Sequence, residues 1–294
     1  GGKYKKMKLI TEIKSLNHLS KYQVDGIIFS YEKYSAISDV TFSLLEIQKI
    51  VQYCKQNNKI SILKIDKIFS EYELDEFYSF LEEMISLNID YYIFSDMAVL
   101  FYMKRKKREN RLIYSAKTLN CSYQDCLYFQ KLGVKVILSN ELTLDDIKET
   151  SSLDNIVLDG YGYSQIFYSK RKLLSLFKEY LDLPQDVKNK LLFMKEATRI
   201  DKYPVYENAN GTFIFTSYKY LFYQELAIVN HFSMFRIESL FISEDDLFKV
   251  IDIYKRALTN EITEEDYQKL LAIDNNVGHR FLYEKSRILE SDDV

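Results

Sequence analysis

Residues 59–95 read KISILKIDKIFSEYELDEFYSFLEEMISLNIDYYIFS, and this stretch holds the pattern that decides the fold. It begins with a β-type apolar run at 59–65 and ends with a second at 91–95. Between them, apolar side chains recur at the spacing of one helix face before Asn88, a residue that closes helices well. The members of that face are Leu74, Phe77, Phe80, Leu81 and Met84. Two strands joined by an amphipathic helix predict a βαβ unit with a right-handed crossover.

The same alternation extends along most of the chain. Helical segments separate the apolar runs, and several end at helix stops such as Asn57-Asn58 and Gly133. Runs that are apolar on both sides are typical of parallel strands covered by helices. The eight runs are 8–10, 26–30, 59–65, 91–95, 111–115, 135–139, 155–159 and 234–239. They predict one (β/α)8 barrel of the TIM type over residues 7–260.

The regular alternation of strands and helices stops in residues 181–215, before the last βα unit. This stretch carries both prolines of the chain, and its second half, 203–215, has aromatic and β-branched arms around Asn-Ala-Asn-Gly at 208–211. Such a turn predicts a β-hairpin inserted into the barrel. Residues 261–294 predict one helix, 264–273, and a tail packed on the barrel. Residues 1–6 are set aside as an expression remnant, because Gly1-Gly2 precede Met7.

Composition indicates a soluble globular protein. The chain has 294 residues, of which 47% are hydrophobic and 28% charged, and its net charge of −3 gives no strong global field for nucleic acid. No apolar run approaches the roughly 18–20 residues that span a bilayer, and no signal peptide is recognisable, so we expect a cytoplasmic protein with no membrane partner. Cys54, Cys121 and Cys126 are too few for a disulfide framework, and their spacing does not predict a metal site.

Candidate site residues follow from the barrel, because catalytic groups lie at the carboxyl ends of its strands. Glu141, Arg236 and Glu238 interrupt or end strands and are the catalytic candidates. Ser115, Lys117 and Asp159 close other strands and are candidates for substrate binding. The alternative is that these charges are solvated or cap the next helix, and Asp66, Asp96 and Asp159 all occupy cap-like positions.

A basic segment follows the seventh run. Ser169, Lys170, Arg171 and Lys172 stand at the predicted start of a helix, where backbone N–H groups bind anions, so a phosphate or RNA contact is predicted there. A second basic cluster at 104–108 is either a solvated helix end or an RNA backbone contact. The sequence has no glycine-rich phosphate loop, no G-x-S-x-G and no H-E-x-x-H.

Five segments, taken in order, resemble a known family. They are ILSNEL at 137–142, DG at 159–160, FYSKRK at 167–172, YPVYENANGT at 203–212 and FRIE at 235–238. Together they are similar to the collagenase-like peptidase family U32, in particular to its short Gram-positive members. The likeness keeps Glu141 and Glu238 of the family's motifs, but Asn140 and Arg236 stand where the family has Arg and Lys.

The resemblance implies either a component of prephenate-dependent hydroxylation of the tRNA wobble uridine or, by the older label, a peptidase. Longer relatives carry cysteines after strand seven that suit an iron–sulfur cluster, whereas this chain has no cysteine after Cys126. The expectation is therefore a non-autonomous subunit that binds no cofactor itself. It would work with tRNA, with prephenate as co-substrate and with a Cys-containing paralogue. A non-catalytic interaction module is the remaining alternative.

Overall fold

A computed structural model describes residues 7–284 apart from 118, 185, 199, 230 and 260. Eight parallel strands form a closed ring, because the last of them pairs with both the first and the seventh. The ring strands are β1 (Lys8–Glu12), β2 (Gly26–Ser30), β3 (Ile60–Ile65), β4 (Tyr91–Phe94), β5 (Leu112–Tyr114), β6 (Lys135–Ile137), β7 (Ile156–Ser169) and β11 (Met234–Ile237). The predicted (β/α)8 barrel is confirmed.

Helices fill most of the crossovers. The first crossover is the exception, since it holds only a 3-10 turn at Leu19–Lys21. The α-helices are α1 (Leu44–Gln56), α2 (Leu74–Ser86), α3 (Met97–Arg105), α4 (Tyr123–Lys131), α5 (Leu144–Glu149), α6 (Leu173–Tyr180), α7 (Glu244–Ala257) and α8 (Glu264–Ile273). Across the part of the chain that the structure describes, none of the helices is both long enough and apolar enough to cross a membrane.

Local chemistry fixes where these helices begin and end. Ser43 and Thr143 form capping boxes with Glu46 and Asp146, which satisfy backbone N–H groups at the first turns of α1 and α5. At the other ends, Asn58 and Asn88 have φ values of 53° and 58°, and Gly133 has 75°. The helix stops predicted at these positions are therefore confirmed as left-handed residues.

Alternating side chains of each strand pack on opposite sides of the barrel wall. Residues such as Leu63 face outward into the large core beneath the helices, whereas Ile62 faces the interior. The interior layer takes one residue from every strand. Its members are Ile10, Ile28, Ile62, Ile93, Ile113, Ile137, Val157 and Met234. Full burial of one such side chain stabilises the folded state by about 1.5–3 kcal/mol. Together the eight side chains form an apolar plug inside the barrel.

An antiparallel layer covers the carboxyl end of the barrel. After a bulge at Gly160, β7 continues to Ser169 and pairs with β10 (Gly211–Leu221). Next to β10 lie β9 (Lys202–Asn208) and then β8 (Leu192–Lys195). The predicted hairpin is present as β9 and β10, but the inserted layer is larger than residues 181–215, because β7 itself provides one of its strands.

The segment after α7 returns to the barrel. Leu270 of α8 and Leu282 of the tail are buried in the main core, and Leu144 N donates to Leu282 O at 2.9 Å. A short strand, β12 (Val277–Gly278), pairs with β10 in parallel. The tail therefore joins the barrel wall to the inserted layer.

Candidate functional site at the barrel mouth

Next to the apolar plug, towards the carboxyl ends of the strands, lies a complete ring of polar side chains. Each member stands two residues after a plug residue on the same strand or strand end, and side chains two apart along a strand share a face. The ring consists of Glu12, Ser30, Lys64, Ser95, Ser115, Ser139, Asp159 and Arg236. All of them except Ser95 are buried. The interior of the barrel thus changes from an apolar layer to a polar layer in one step, and this polar layer forms the mouth of the barrel.

Arg236 and Asp159 form a bidentate pair across adjacent strands. Arg236 Nε donates to Asp159 Oδ1 at 2.7 Å, and Nη2 donates to Oδ2 at 2.9 Å. β7 and β11 place the two residues opposite each other in register. Burial opposes ionisation of Asp159, but the charge and hydrogen bonds of Arg236 outweigh it and lower the pKa of that carboxyl. The pair is therefore a fixed, fully ionised feature of the mouth.

A second buried pair joins Glu12 and Lys64. Lys64 Nζ lies 2.5 Å from Glu12 Oε2 and donates to the Ile37 carbonyl at 2.8 Å. Glu12 Oε1 accepts hydrogen bonds from the hydroxyls of Ser30 and Ser38. Sequence reasoning missed Glu12, because it ended the first strand at residue 10. Counting two residues on from Ile10 would have found it.

Other mouth charges are less tightly paired. Lys117 Nζ is 3.9 Å from Asp66 Oδ2, and Glu238 Oε2 is 3.7 Å from Arg236 Nη1, both beyond hydrogen-bond length. Burial lowers the pKa of Lys117, although the nearby Asp66 charge opposes that shift. Lys117 also has a φ of 62°, a conformation unusual for a long side chain. These groups are the ones left available to a ligand.

Arg280 reaches the mouth from the C-terminal tail. Its Nε donates to Ser164 Oγ at 2.6 Å, its Nη2 lies 3.8 Å from Asp159 Oδ2, and its guanidinium stands 3.7 Å from the Tyr220 ring centroid. Burial lowers the pKa of Arg280. Nothing in the sequence pattern indicated this residue, because the contact depends on how the tail folds back.

Among the predicted site residues, the structure brings Arg236, Glu238, Asp159, Ser115 and Lys117 together at one cavity. It does not bring Glu141 there: that side chain is exposed, while Asn140 lines the cavity and its Nδ2 donates to Gln165 O. The reason is that β6 ends at Ile137, and the following turn points Glu141 outward.

Of the three predicted cap positions, only Asp96 caps a helix. Its carboxylate accepts from Ala98 N. Asp66 accepts instead from Ala36 N, and Asp159 accepts from Arg236.

The basic segment differs from its expected form. Ser169 ends β7, and α6 begins at Leu173 with the exposed Lys172 as its N-cap. The helix start is already occupied, because the fully buried carboxylate of Glu207 accepts from Leu174 N and Ser175 N. An internal carboxylate thus takes the place predicted for a phosphate. Lys170 and Arg171 remain exposed beside it.

Two of the three thiols lie in the outer core, away from the mouth. Cys54 and Cys126 are buried in the outer core, where burial raises the pKa of each thiol to about 12, and Cys121 is exposed. A thiolate-bound cluster at the mouth therefore does not fit the cysteines of this chain. His18 contacts Glu244 on α7, and His279 contacts the Leu221 carbonyl. Within the described ranges, no three His, Cys, Asp or Glu side chains converge in a way that could hold a metal ion.

Comparison with known families agrees with this architecture. The profile of peptidase family U32 matches residues 11–288, almost the whole barrel and tail. The chain belongs to peptidase family U32. The solved structure of the U32 peptidase Mk0906 superimposes with a TM-score of 0.50 at 15% identity, covering 79% of this chain and 92% of that one. That likeness concerns the fold alone.

A curated relative of this U32 chain has a named role. The tRNA hydroxylation protein P2 of Bacillus subtilis (strain 168) is 26% identical over 227 residues. The alignment covers 74% of this chain and 73% of the relative. The two proteins are therefore similar over most of the length of each.

Proposed function

We propose that this U32 chain is a component of tRNA hydroxylation at the wobble uridine, with prephenate as co-substrate. The observation that carries the proposal is its likeness to tRNA hydroxylation protein P2 along three quarters of the chain. The buried polar mouth supports it, because a layer of paired charges with a few open groups suits recognition of a small polar substrate.

The mouth residues have distinct proposed roles. Arg236 and Glu238 face the substrate, with Asp159 orienting the Arg236 guanidinium through its two hydrogen bonds. Ser115 and Lys117, which both follow β5, bind the substrate from that side of the ring. Lys117 Nζ stands 3.9 Å from Asp66 Oδ2, too far for a hydrogen bond, so its ammonium group has donors to offer a substrate oxygen. Glu141, on the outer surface, has no proposed role in the mouth.

A non-autonomous role follows from the cysteines. Cys54 and Cys126 are buried in the outer core and Cys121 is a single exposed thiol, which argues that redox ligands come from elsewhere, and we infer a Cys-containing family paralogue as partner. The basic segment, Ser169 to Lys172, would contact tRNA phosphates through its exposed side chains Lys170, Arg171 and Lys172. The side chains of this segment, and not the start of α6, would make the contact with tRNA. The reason is that Glu207 already accepts hydrogen bonds from the backbone N–H groups at the start of α6.

Deletion of the gene tests the proposal. Bulk tRNA from the deletion strain, digested to nucleosides and analysed by mass spectrometry, should lack 5-hydroxyuridine and its derivatives, and the wild-type gene should restore them. Unchanged levels in the deletion strain would refute the proposal. The peptidase alternative would be supported instead if the purified chain cleaved casein or collagen peptides, with or without divalent metal ions.

A further inference from the structure

An open cleft leads from the surface to the polar ring. It has a volume of about 370 Å³, within the range of small-molecule sites. Its floor is polar and includes Asp66, Ser115 and Lys117, which end the third and fifth barrel strands. Its upper wall is the extension of β7 into the inserted layer. The cleft is therefore built jointly by the barrel and the layer above it.

The wall of the cleft exposes apolar and aromatic side chains. Phe167 is 40% exposed, and Ile166 beside it and Leu119 on the facing loop are also exposed. All three line the cleft. An exposed ring at the entrance of a polar pocket offers a flat surface on which a nucleobase can stack, an interaction that is tolerant of sequence.

Below the aromatic ring of Phe167, the floor of the cleft has a hydrogen-bond acceptor and a hydrogen-bond donor that are not bonded to each other. Asp66 Oδ1 accepts from Ala36 N at 2.9 Å, which fixes the carboxylate and leaves Oδ2 for another partner. In the described part of the chain, the nearest cation to Oδ2 is Lys117 Nζ at 3.9 Å, too far for a hydrogen bond. A ligand with an N–H beside a carbonyl oxygen would satisfy both groups at once.

Positive charge lies at the outer end of the same strand. Lys170 follows β7 directly, and its Nζ contacts Ser70 Oγ at 3.1 Å and, at 3.4 Å, the Phe69 carbonyl, on the far side of the cleft. Arg171 and Lys172 are exposed next to it. Phosphates on either side of a nucleotide in the cleft would therefore meet cationic side chains.

We propose that the cleft receives a single uridine flipped out of an RNA loop, stacked on Phe167 and read by Asp66 and Lys117. This inference rests on the proposed function and adds the residues that bind the RNA base. Uracil presents N3–H between two carbonyl oxygens, so Asp66 Oδ2 accepts from N3 and Lys117 donates to a neighbouring oxygen. Cytosine presents an unprotonated N3 to the same carboxylate, which disfavours it.

Complementation of the deletion strain tests the cleft. The strain would carry the wild-type gene, Phe167→Ala, Phe167→Tyr or Phe177→Ala at low, equal expression verified by immunoblot. Phe177 is the matched control, because it is a phenylalanine of α6 that is 57% exposed and does not line the cleft. Stacking on an aromatic ring changes binding by about 5- to 150-fold. Phe167→Ala should therefore lower 5-hydroxyuridine in tRNA at least about fivefold, whereas Phe167→Tyr and Phe177→Ala should restore it.

Failure of Phe167→Tyr to restore 5-hydroxyuridine would overturn the cleft assignment, because this variant keeps an aromatic ring for stacking. Full restoration by Phe167→Ala would overturn the cleft assignment and leave the proposed function standing. Loss in both Phe167→Ala and Phe177→Ala would also overturn it, since the effect would not be specific to the cleft. Retention of 5-hydroxyuridine in the uncomplemented deletion strain would refute the proposed function and the cleft together.

Discussion

Replacing Arg236 by methionine should destabilise the protein strongly, because it leaves Asp159 as a buried carboxylate without its main partner. Both side chains are only 7% exposed, and two hydrogen bonds of 2.7 and 2.9 Å join them. Removing one member of such a pair costs about 3–5 kcal/mol. Arg280 Nη2, 3.8 Å from Asp159, compensates in part, so the lower end of that range is expected. For a chain of this length it corresponds to a fall in Tm of roughly 6 °C.

The double variant Arg236→Met/Asp159→Leu provides the control. With both charges replaced by apolar groups of similar size, no buried carboxylate remains at position 159, so the double variant should regain most of the stability that Arg236→Met loses. The remaining loss reflects Arg280 and Glu238, which lose their neighbours at 3.8 and 3.7 Å. Thermal and urea unfolding followed by circular dichroism measures all three proteins. If the double variant is no more stable than Arg236→Met, the two side chains are not coupled and the reasoning is wrong.

The pH dependence gives an independent check. In the wild type the pKa of Asp159 is lowered on folding, so its contribution to stability is complete above the unfolded pKa of about 3.9 and is lost only as the pH falls through the folded value. In Arg236→Met, burial without the guanidinium should raise the folded pKa instead. The variant then gains stability relative to wild type as the pH falls from 7 towards 4.5. A constant difference over that interval would contradict the account.

Three further predictions concern the inserted layer and the core. Glu207→Gln should weaken the start of α6 by about 1–2 kcal/mol, seen as faster hydrogen exchange at 173–180 with barrel amides unchanged. Gly162→Ala should lower Tm more than Gly133→Ala, since at Gly162 the φ is 110° and an added Cβ would collide with the Glu238 carbonyl, whereas at Gly133 there is room. Cys54 and Cys126 should resist alkylation at pH 8, measured by peptide mass spectrometry, until denaturant unfolds the core, because burial raises each thiol pKa to about 12.

The sequence predicted features that depend on neighbouring residues. Strand and helix periodicity located all eight ring strands, and Asn58 and Asn88 ended helices because their short amide side chains tolerate left-handed backbone. Residues that close a predicted apolar run also reached the mouth where the run continued two residues beyond a plug residue, as for Asp159 and Arg236. Glu141 was misplaced because a turn of one or two residues decides which way a side chain points.

Long-range contacts could not be read in this way. Arg280 reaches Asp159 only because the tail folds back beside β10, and Glu207 meets α6 only because the hairpin places it there. Neither contact leaves a local pattern in the sequence. The extension of β7 was hidden because Asp159, Gly160 and Gly162 interrupt the apolar run where the strand changes partners.

One strand, β7, belongs to both the parallel ring and the antiparallel layer. The layer is therefore attached to the barrel through a continuous strand and not through a flexible linker. A tilt of the layer large enough to open the cleft must break hydrogen bonds within the barrel wall. Motion at the entrance should be confined to the far edge of the layer, where β8 pairs, among the residues that the structure describes, only with β9.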